Sequence, residues 1–243
     1  MAKRTREPIT AKRIVYLWGA GATQAEISYA GAKTVNLLMR DNDLGEGLAT
    51  RIISKLPERS KHAFATDQGT DIEKLISLLL ASNVDKYQKL ATKIRQLYFE
   101  DIRDSLEATG VIERPKLATA LFMLHRNESF LQHETLSGMV TTNHDGLLQR
   151  AASEVHRALN LGIPFASDHF EVGFSGAPML HLHGSFTWTF GTPIAVSRLS
   201  RTSRYAPDMV WIPPTILKET KAYPFNKLAG LAYELLSTRI SQG

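Results

Sequence analysis

The stretch from Arg13 to Ser28, RIVYLWGAGATQAEIS, leaves few folds open. Ile14 to Trp18 is a β-branched and aromatic run of the kind that forms a buried strand. It breaks at Gly19-Ala20-Gly21, after which Thr23 and Gln24 lead into a helical pattern. A buried strand, a glycine-rich turn and a helix make the first unit of a doubly wound α/β sheet. Glycines let a backbone come close to a phosphate, and the helix that follows offers unpaired N–H groups and a positive dipole end. The turn has Gly-x-Gly without the third glycine of the dinucleotide fingerprint, so a plain tight turn between strand and helix accounts for it equally.

Beyond Ser28 the pattern turns helical as far as about Glu134. Ile72, Leu75, Ile76 and Leu79 recur at helical spacing behind Asp71, which suits an N-cap. Leu90, Ile94, Leu97, Ile102 and Leu106 line a long amphipathic helix that stops near Gly110, and another helix is expected from Lys116 to about His133. Strand candidates then appear at 138–142, 178–182 and 209–212, with helices at 145–159 and 224–240. The order predicts an α/β fold in which a Rossmann-like parallel sheet carries an inserted α-helical module at about 45–135. A mostly helical protein with a small sheet is the alternative. Residues 1–13 read as a basic arm ahead of a domain spanning 14–243.

With 243 residues and 43% hydrophobic content, the chain suits one large domain. Its longest obvious apolar run, Leu75 to Leu80, is far too short for a membrane span, and the basic N-terminus lacks the apolar core of a signal peptide. The chain has no cysteine, which removes disulfides, thiolate nucleophiles and cysteine-based zinc sites, and is in keeping with a cytoplasmic location. A net charge of +5 permits contact with phosphates but is modest for a dedicated nucleic-acid binder.

Two short segments hold the remaining chemistry. Thr141-Thr142-Asn143-His144-Asp145 follows the apolar pair Met139-Val140 and precedes a helix. Such a polar group is either a helix N-cap or the rim of a site at the carboxyl end of a parallel strand. In LHLHGSFTW, residues 180–188, His181 and His183 lie two apart and would share a face of one extended strand. Half of a metal site is one reading, but no further ligand spacing follows. His181 is expected in the core, and His183, beside Gly184 and Ser185, at an exposed strand end.

A strand with Gly-Ala-Gly-Ala-Thr, a helical insertion, Thr-Thr-Asn-x-Asp and then Leu-His-Gly-Ser together resemble the sirtuin-like (silent-information-regulator) family of NAD-consuming proteins. The resemblance runs from about Ile14 to the end of the chain. It implies that Gly19, Ala20, Gly21, Ala22 and Thr23, with Gly184 and Ser185 of the last motif, bind NAD. It further implies that Asn143 lies by the nicotinamide ribose, that Asp145 contacts the nicotinamide amide, and that His183 is the general base. NAD is then a substrate, with no metal. Those residue types suit the chemistry. Nicotinamide in NAD is already cationic, so its departure requires no acid, and the sugar carbon left behind has oxocarbenium character.

The chain departs from lysine deacylases of that family, whose zinc ribbon uses two Cys-x-x-Cys pairs. It resembles the zinc-less branch, NAD glycohydrolases of bacterial antiphage defence, whose NAD depletion is held off until a partner domain or an assembly triggers it. A homo-oligomer or a sensor partner is therefore expected, and a deacylase is the lesser reading. No strand follows the helix at 224–240, so the chain is expected to be the N-terminal part of a longer protein. A module that binds NAD or ADP-ribose without turnover, or scaffolds a complex, is the alternative function. The run SRLSRTSR, residues 197–204, spaces three arginines three apart and reads as a solvated loop, or as a contact for phosphate, nucleic acid or a neighbouring subunit.

Overall fold

Met139 and Val140 are neighbours in the chain yet belong to different layers of the core. The same holds for Met179 and Leu180. Alternate residues of a strand point to opposite faces, so two adjacent apolar residues that are both buried require a sheet covered on both sides. The protein, seen in a computed structural model, is described over residues 12–32, 34–61, 72–125, 134–158, 165–167, 177–190, 195–197, 199–213, 221 and 223–237. The N-terminal arm to residue 11, Asp71, the end of the helix expected from Lys116 to about His133 (residues 126–133) and Arg198 fall outside the described residues.

Strands β1 (Lys12–Trp18), β2 (Glu134–Thr141), β3 (Phe165–Ser167) and β4 (Ala177–His181) form a parallel sheet in the order β1-β2-β4-β3. The fold is thus mixed α/β around a parallel sheet. Met139 and Met179 pack on one side with helices α6 (Lys116–Leu124) and α7 (Leu147–Ala158), through Ala118, Phe122, Leu148 and Ala151. Val140 and Leu180 pack on the other side against α8 (Phe225–Ser237), through Leu228 and Ala232. Gly138 lets α8 come close, because a Cβ there would lie 2.6 Å from Leu235 Cδ2.

The link from β1 to β2 carries α1 (Ala20–Tyr29), α2 (Leu48–Ser54), α3 (Glu58–Lys61), α4 (Ile72–Ala81), α5 (Asp85–Ala108) and then α6. The expected helical insertion is therefore present, and α5 is its spine. Ala91, Ile94, Leu97, Phe99, Ile102 and Leu106 are all buried, and all six sit in one cluster with Ile52, Ile76 and Leu79. Burying a side chain such as Phe99 contributes about 1.5–3 kcal/mol. Asp101 on α5 is only 4% exposed, and it is neutralised by Arg51 at 2.5 Å and Lys55 at 2.6 Å. Such partners offset the cost of burying a carboxylate. Glu26 of α1 does similar work for α6, accepting from the N–H groups of Leu117 (3.0 Å) and Ala118 (2.5 Å) at the positive end of that helix.

A second sheet differs from the expected single one. Strands β5 (Gly184–Thr189), β6 (Ala195–Val196) and β7 (Met209–Trp211) pair antiparallel in the order β6-β5-β7. The strand expected at 209–212 is present, but it joins this sheet. The chain turns at residues 182–183 directly after β4, so β5 leaves the parallel sheet at once. Among the described residues no helix is long and apolar enough to cross a membrane.

Candidate functional site at the carboxyl ends of the parallel strands

The register of the parallel sheet builds the site. Trp18 of β1 is level with Thr141 of β2, and Thr141 is level with His181 of β4. All three are last residues of parallel strands, so the segments that follow leave the sheet side by side: Gly19 onwards, Thr142 to Gly146, and Leu182-His183. Backbone bonds extend the alignment, from Thr142 N to Trp18 O at 3.3 Å and from Leu182 N to Thr141 O at 2.8 Å.

On the β1 side the loop after β2 meets the glycine turn. Asn143 donates its amide Nδ2 to the Gly19 carbonyl at 2.9 Å and to Thr23 Oγ1 at 2.7 Å. Thr23 in turn donates to Asp145 Oδ2 at 2.6 Å. The other oxygen of Asp145 accepts from Leu147 N at 3.0 Å, capping α7. Asn143 and Asp145 are 9% and 6% exposed. Burial raises the Asp145 pKa above the ordinary carboxylate value; the Thr23, Leu147 and Asn143 hydrogen bonds oppose this, and the charge of Glu26 adds to it. Sequence reasoning placed Gly19, Thr23, Asn143 and Asp145 in one site, and the fold brings these four together. Ala20 and Gly21 are exposed on the first turn of α1, and Ala22 is partly buried behind them.

On the far side of the same loop His144 points the other way. Its ring stacks near that of His183, with centroids 6.0 Å apart and planes 28° apart, and near Phe186 at 5.4 Å. Trp211 meets it edge-on at 5.1 Å, and Tyr98 of α5 stacks on Trp211 at 5.6 Å. His144 Nε2 lies 3.0 Å from the Ile212 carbonyl, which can only accept, so that nitrogen carries the proton. Ile212 N donates to the His183 carbonyl at 2.8 Å, which ties both histidine segments to the end of β7. His183 is half-buried.

The remaining expected residues have roles inside the chain. Gly184 has φ +73°, and a Cβ there would sit 2.2 Å from the Val210 carbonyl oxygen, so glycine is what lets β5 lie against β7. Ser185 is fully buried, and its hydroxyl bonds to the His144 carbonyl at 3.2 Å and to Thr187 Oγ1 at 2.9 Å. His181 is 1% exposed and lies edge-on to Trp188 at 5.5 Å, and among the described residues neither ring nitrogen has a hydrogen-bond partner of good geometry. Burial pushes its pKa down to about 4, with the nearby Asn143 backbone acting in the other direction. Because β4 ends at His181, the two histidines do not share a strand face. His181 belongs to the core and His183 to the cluster around His144. Among the described residues no group of three or more His, Cys, Asp or Glu side chains is placed to hold a metal ion.

Sequence reasoning gave His144 no role beyond capping the helix that follows, and it placed Tyr98, Arg95 and Trp211 in no site. The available signal was Arg95, a cation four residues after the buried Ala91 and four before the buried Phe99, hence on the buried stripe of α5. The run at 197–204 is pinned to that helix, with Arg201 on Glu107 at 2.9 Å and Arg103 donating to the Ser203 carbonyl at 2.7 Å. A cavity of about 230 Å³ opens beside Asp145, lined also by Gly146, Gln149, Arg150, Thr187 and Leu199. Searched against protein-family models and against curated protein sequences, the chain gives no match.

Proposed function

We propose that this chain is a Rossmann-like NAD glycohydrolase, which cleaves NAD with water to nicotinamide and ADP-ribose. One observation carries the reading. Gly19 and Gly21 sit beside the Asn143–Thr23–Asp145 hydrogen bonds at the start of α1, and a Cβ at either glycine would meet nothing within 4 Å. Gly21, inside the first turn of α1, costs about 0.5–1 kcal/mol relative to alanine, and neither it nor the N-cap Gly19 needs a left-handed backbone. Open space over a glycine turn at a helix N-terminus suits a pyrophosphate, whose charge the helix end favours.

In this mechanism the bond from ribose C1′ to the nicotinamide nitrogen breaks, and nicotinamide leaves as a neutral molecule with the bonding pair. Water adds to C1′ and its proton passes to His183, an assistance worth roughly 10²- to 10⁴-fold. Asn143 and Asp145 hold the ribose and nicotinamide, with Thr23 fixing both side chains. Activity of this type depletes NAD, and an oligomer or partner protein acting as sensor would hold it in check, as in an antiphage effector of the cytoplasm. Gly184 and Ser185 contribute by shaping the His183 turn.

The second reading, an NAD or ADP-ribose binder without turnover, is favoured by the engagement of Asn143 and Asp145 inside the chain. Incubation with NAD and chromatographic separation of the products distinguishes the two. Nicotinamide and ADP-ribose are expected from the wild type and not from a His183→Ala variant of unchanged melting temperature. Equal turnover by that variant would remove His183 from the mechanism. Binding of NAD by both, with no product from either, would leave the binder.

A further inference from the structure

Four half-buried arginines of the fold differ in one respect. Arg51, Arg103 and Arg150 are each paired with a carboxylate, at 2.5, 2.6 and 3.1 Å. Arg95 has no such partner among the described residues. Its guanidinium instead lies over the Trp211 ring, 5.2 Å from the centroid, and its Nε is shut off from solvent without an acceptor. The indole Nε1 of Trp211 is orphaned in the same way, in a side chain only 4% exposed. Buried donors without acceptors are rare, because the lost hydration is not returned. An orphaned indole N–H recurs elsewhere among the described residues, as at Trp18, but Arg95 and Trp211 are the pair of such donors that meets in one cation–aromatic contact, and stacking on a ring face leaves the in-plane N–H fork of a guanidinium unused.

From this contact we infer an oxyanion site: Arg95 and Trp211 take a phosphate or carboxylate group of a ligand entering on the His144–His183 side of the site loop. The position follows from the chain of rings, since Trp211 is 5.1 Å from His144 and His144 is 6.0 Å from His183. A planar, permanently charged fork suits either oxyanion. The site lies across the loop from the Gly19 turn, and its existence does not depend on NAD turnover.

Calorimetric titration with inorganic pyrophosphate, and separately with succinate, at constant ionic strength tests it on the whole chain. Saturable binding is expected, weakened about tenfold or more in Arg95→Gln, the loss of one charge-assisted hydrogen bond. Indole fluorescence should change on binding in the wild type and not in Trp211→Phe. A preference for pyrophosphate that the Arg95 variants lose identifies a phosphate ligand, a preference for succinate that they lose a carboxylate one, and pyrophosphate binding that they keep belongs to the Gly19 turn. Arg95→Lys, which keeps the charge and drops the Nε donor, gives the same comparison if Arg95→Gln does not fold. Absence of saturable binding by either anion, or equal affinity in the Arg95 variants, overturns the inference.

Discussion

Two glycine turns flank the site loop, and they are glycine for opposite reasons. At Gly184 the chain itself supplies the reason: a positive φ and the Val210 carbonyl 2.2 Å from where a Cβ would be. At Gly21 the chain supplies none, since the backbone is ordinary helix and the space beside it is open, while Gly19 has the N-cap position of α1, which suits glycine, and the same open space. A glycine explained by packing speaks about construction, here the seating of β5 on β7 that aims the His183 segment. An unexplained glycine at a helix start points to something outside the chain. The same division holds for polar side chains. Ser185 is satisfied within the protein, whereas Arg95 and Trp211 each have a donor without a partner among the described residues.

The sharpest way to break this comparison is Gly184→Ala. The substitution meets both a left-handed backbone and a clash with main-chain atoms, neither of which a rotamer change relieves. It is expected to cost more than about 4 kcal/mol, at the far end of the range for point variants. Loss of the cooperative thermal transition would show it. A variant melting within a few degrees of wild type would mean that β5 and β7 separate easily, and the His183 turn would lose its structural anchor.

His181 and His183 extend the contrast from glycines to titration. His181 is held neutral by burial, with its pKa lowered to about 4 from an ordinary value of 6.5. A lowered pKa means that the unfolded chain takes the proton first as pH falls. Its contribution is therefore complete above pH 6.5 and is lost as pH drops towards 4, a change of about 3 kcal/mol if the full shift applies. In His181→Leu that part of the acid sensitivity should vanish, and stability at pH 7 should change little, because two orphaned nitrogens are removed with the ring. Denaturant titrations of both proteins between pH 4 and 7 measure it. Parallel curves would show that His181 reaches solvent or a partner. His125, also lowered by burial, is common to both proteins and cancels in the difference.

These residues also mark how far the sequence could be read. The first strand, the glycine turn, the helical insertion and the helix after Asp145 follow from local pattern, since hydrophobic period and turn chemistry are local properties. The meeting of Gly19, Thr23, Asn143 and Asp145 depends on the strand register, yet motif order was enough to suggest it. The second sheet was not legible. β5 starts one turn after β4, and nothing in LHLHGSFTW marks the reversal except Gly184, whose positive φ is a tertiary requirement. Arg95 and Trp211 are 116 residues apart by their numbers, and no local pattern links an arginine on a helix to a tryptophan on a strand. Only the contact between α5 and β7 reveals that both donors are unpaired.

The smallest expected effect is the most discriminating. Gly21→Ala adds a Cβ that meets nothing, on an exposed position in the first turn of α1. Alanine is the better helix former, so stability should rise by up to about 1 kcal/mol, seen as a melting temperature a few degrees higher. If a pyrophosphate lies against this turn, the same methyl group obstructs it, and NAD binding should weaken while the empty protein gains. Opposite changes in melting temperature and in NAD affinity would separate a ligand surface from a structural turn. A variant that is more stable and binds NAD as well as wild type would return Gly19-Ala20-Gly21 to the role of a simple connection, and the proposal that NAD occupies this turn would fall with it.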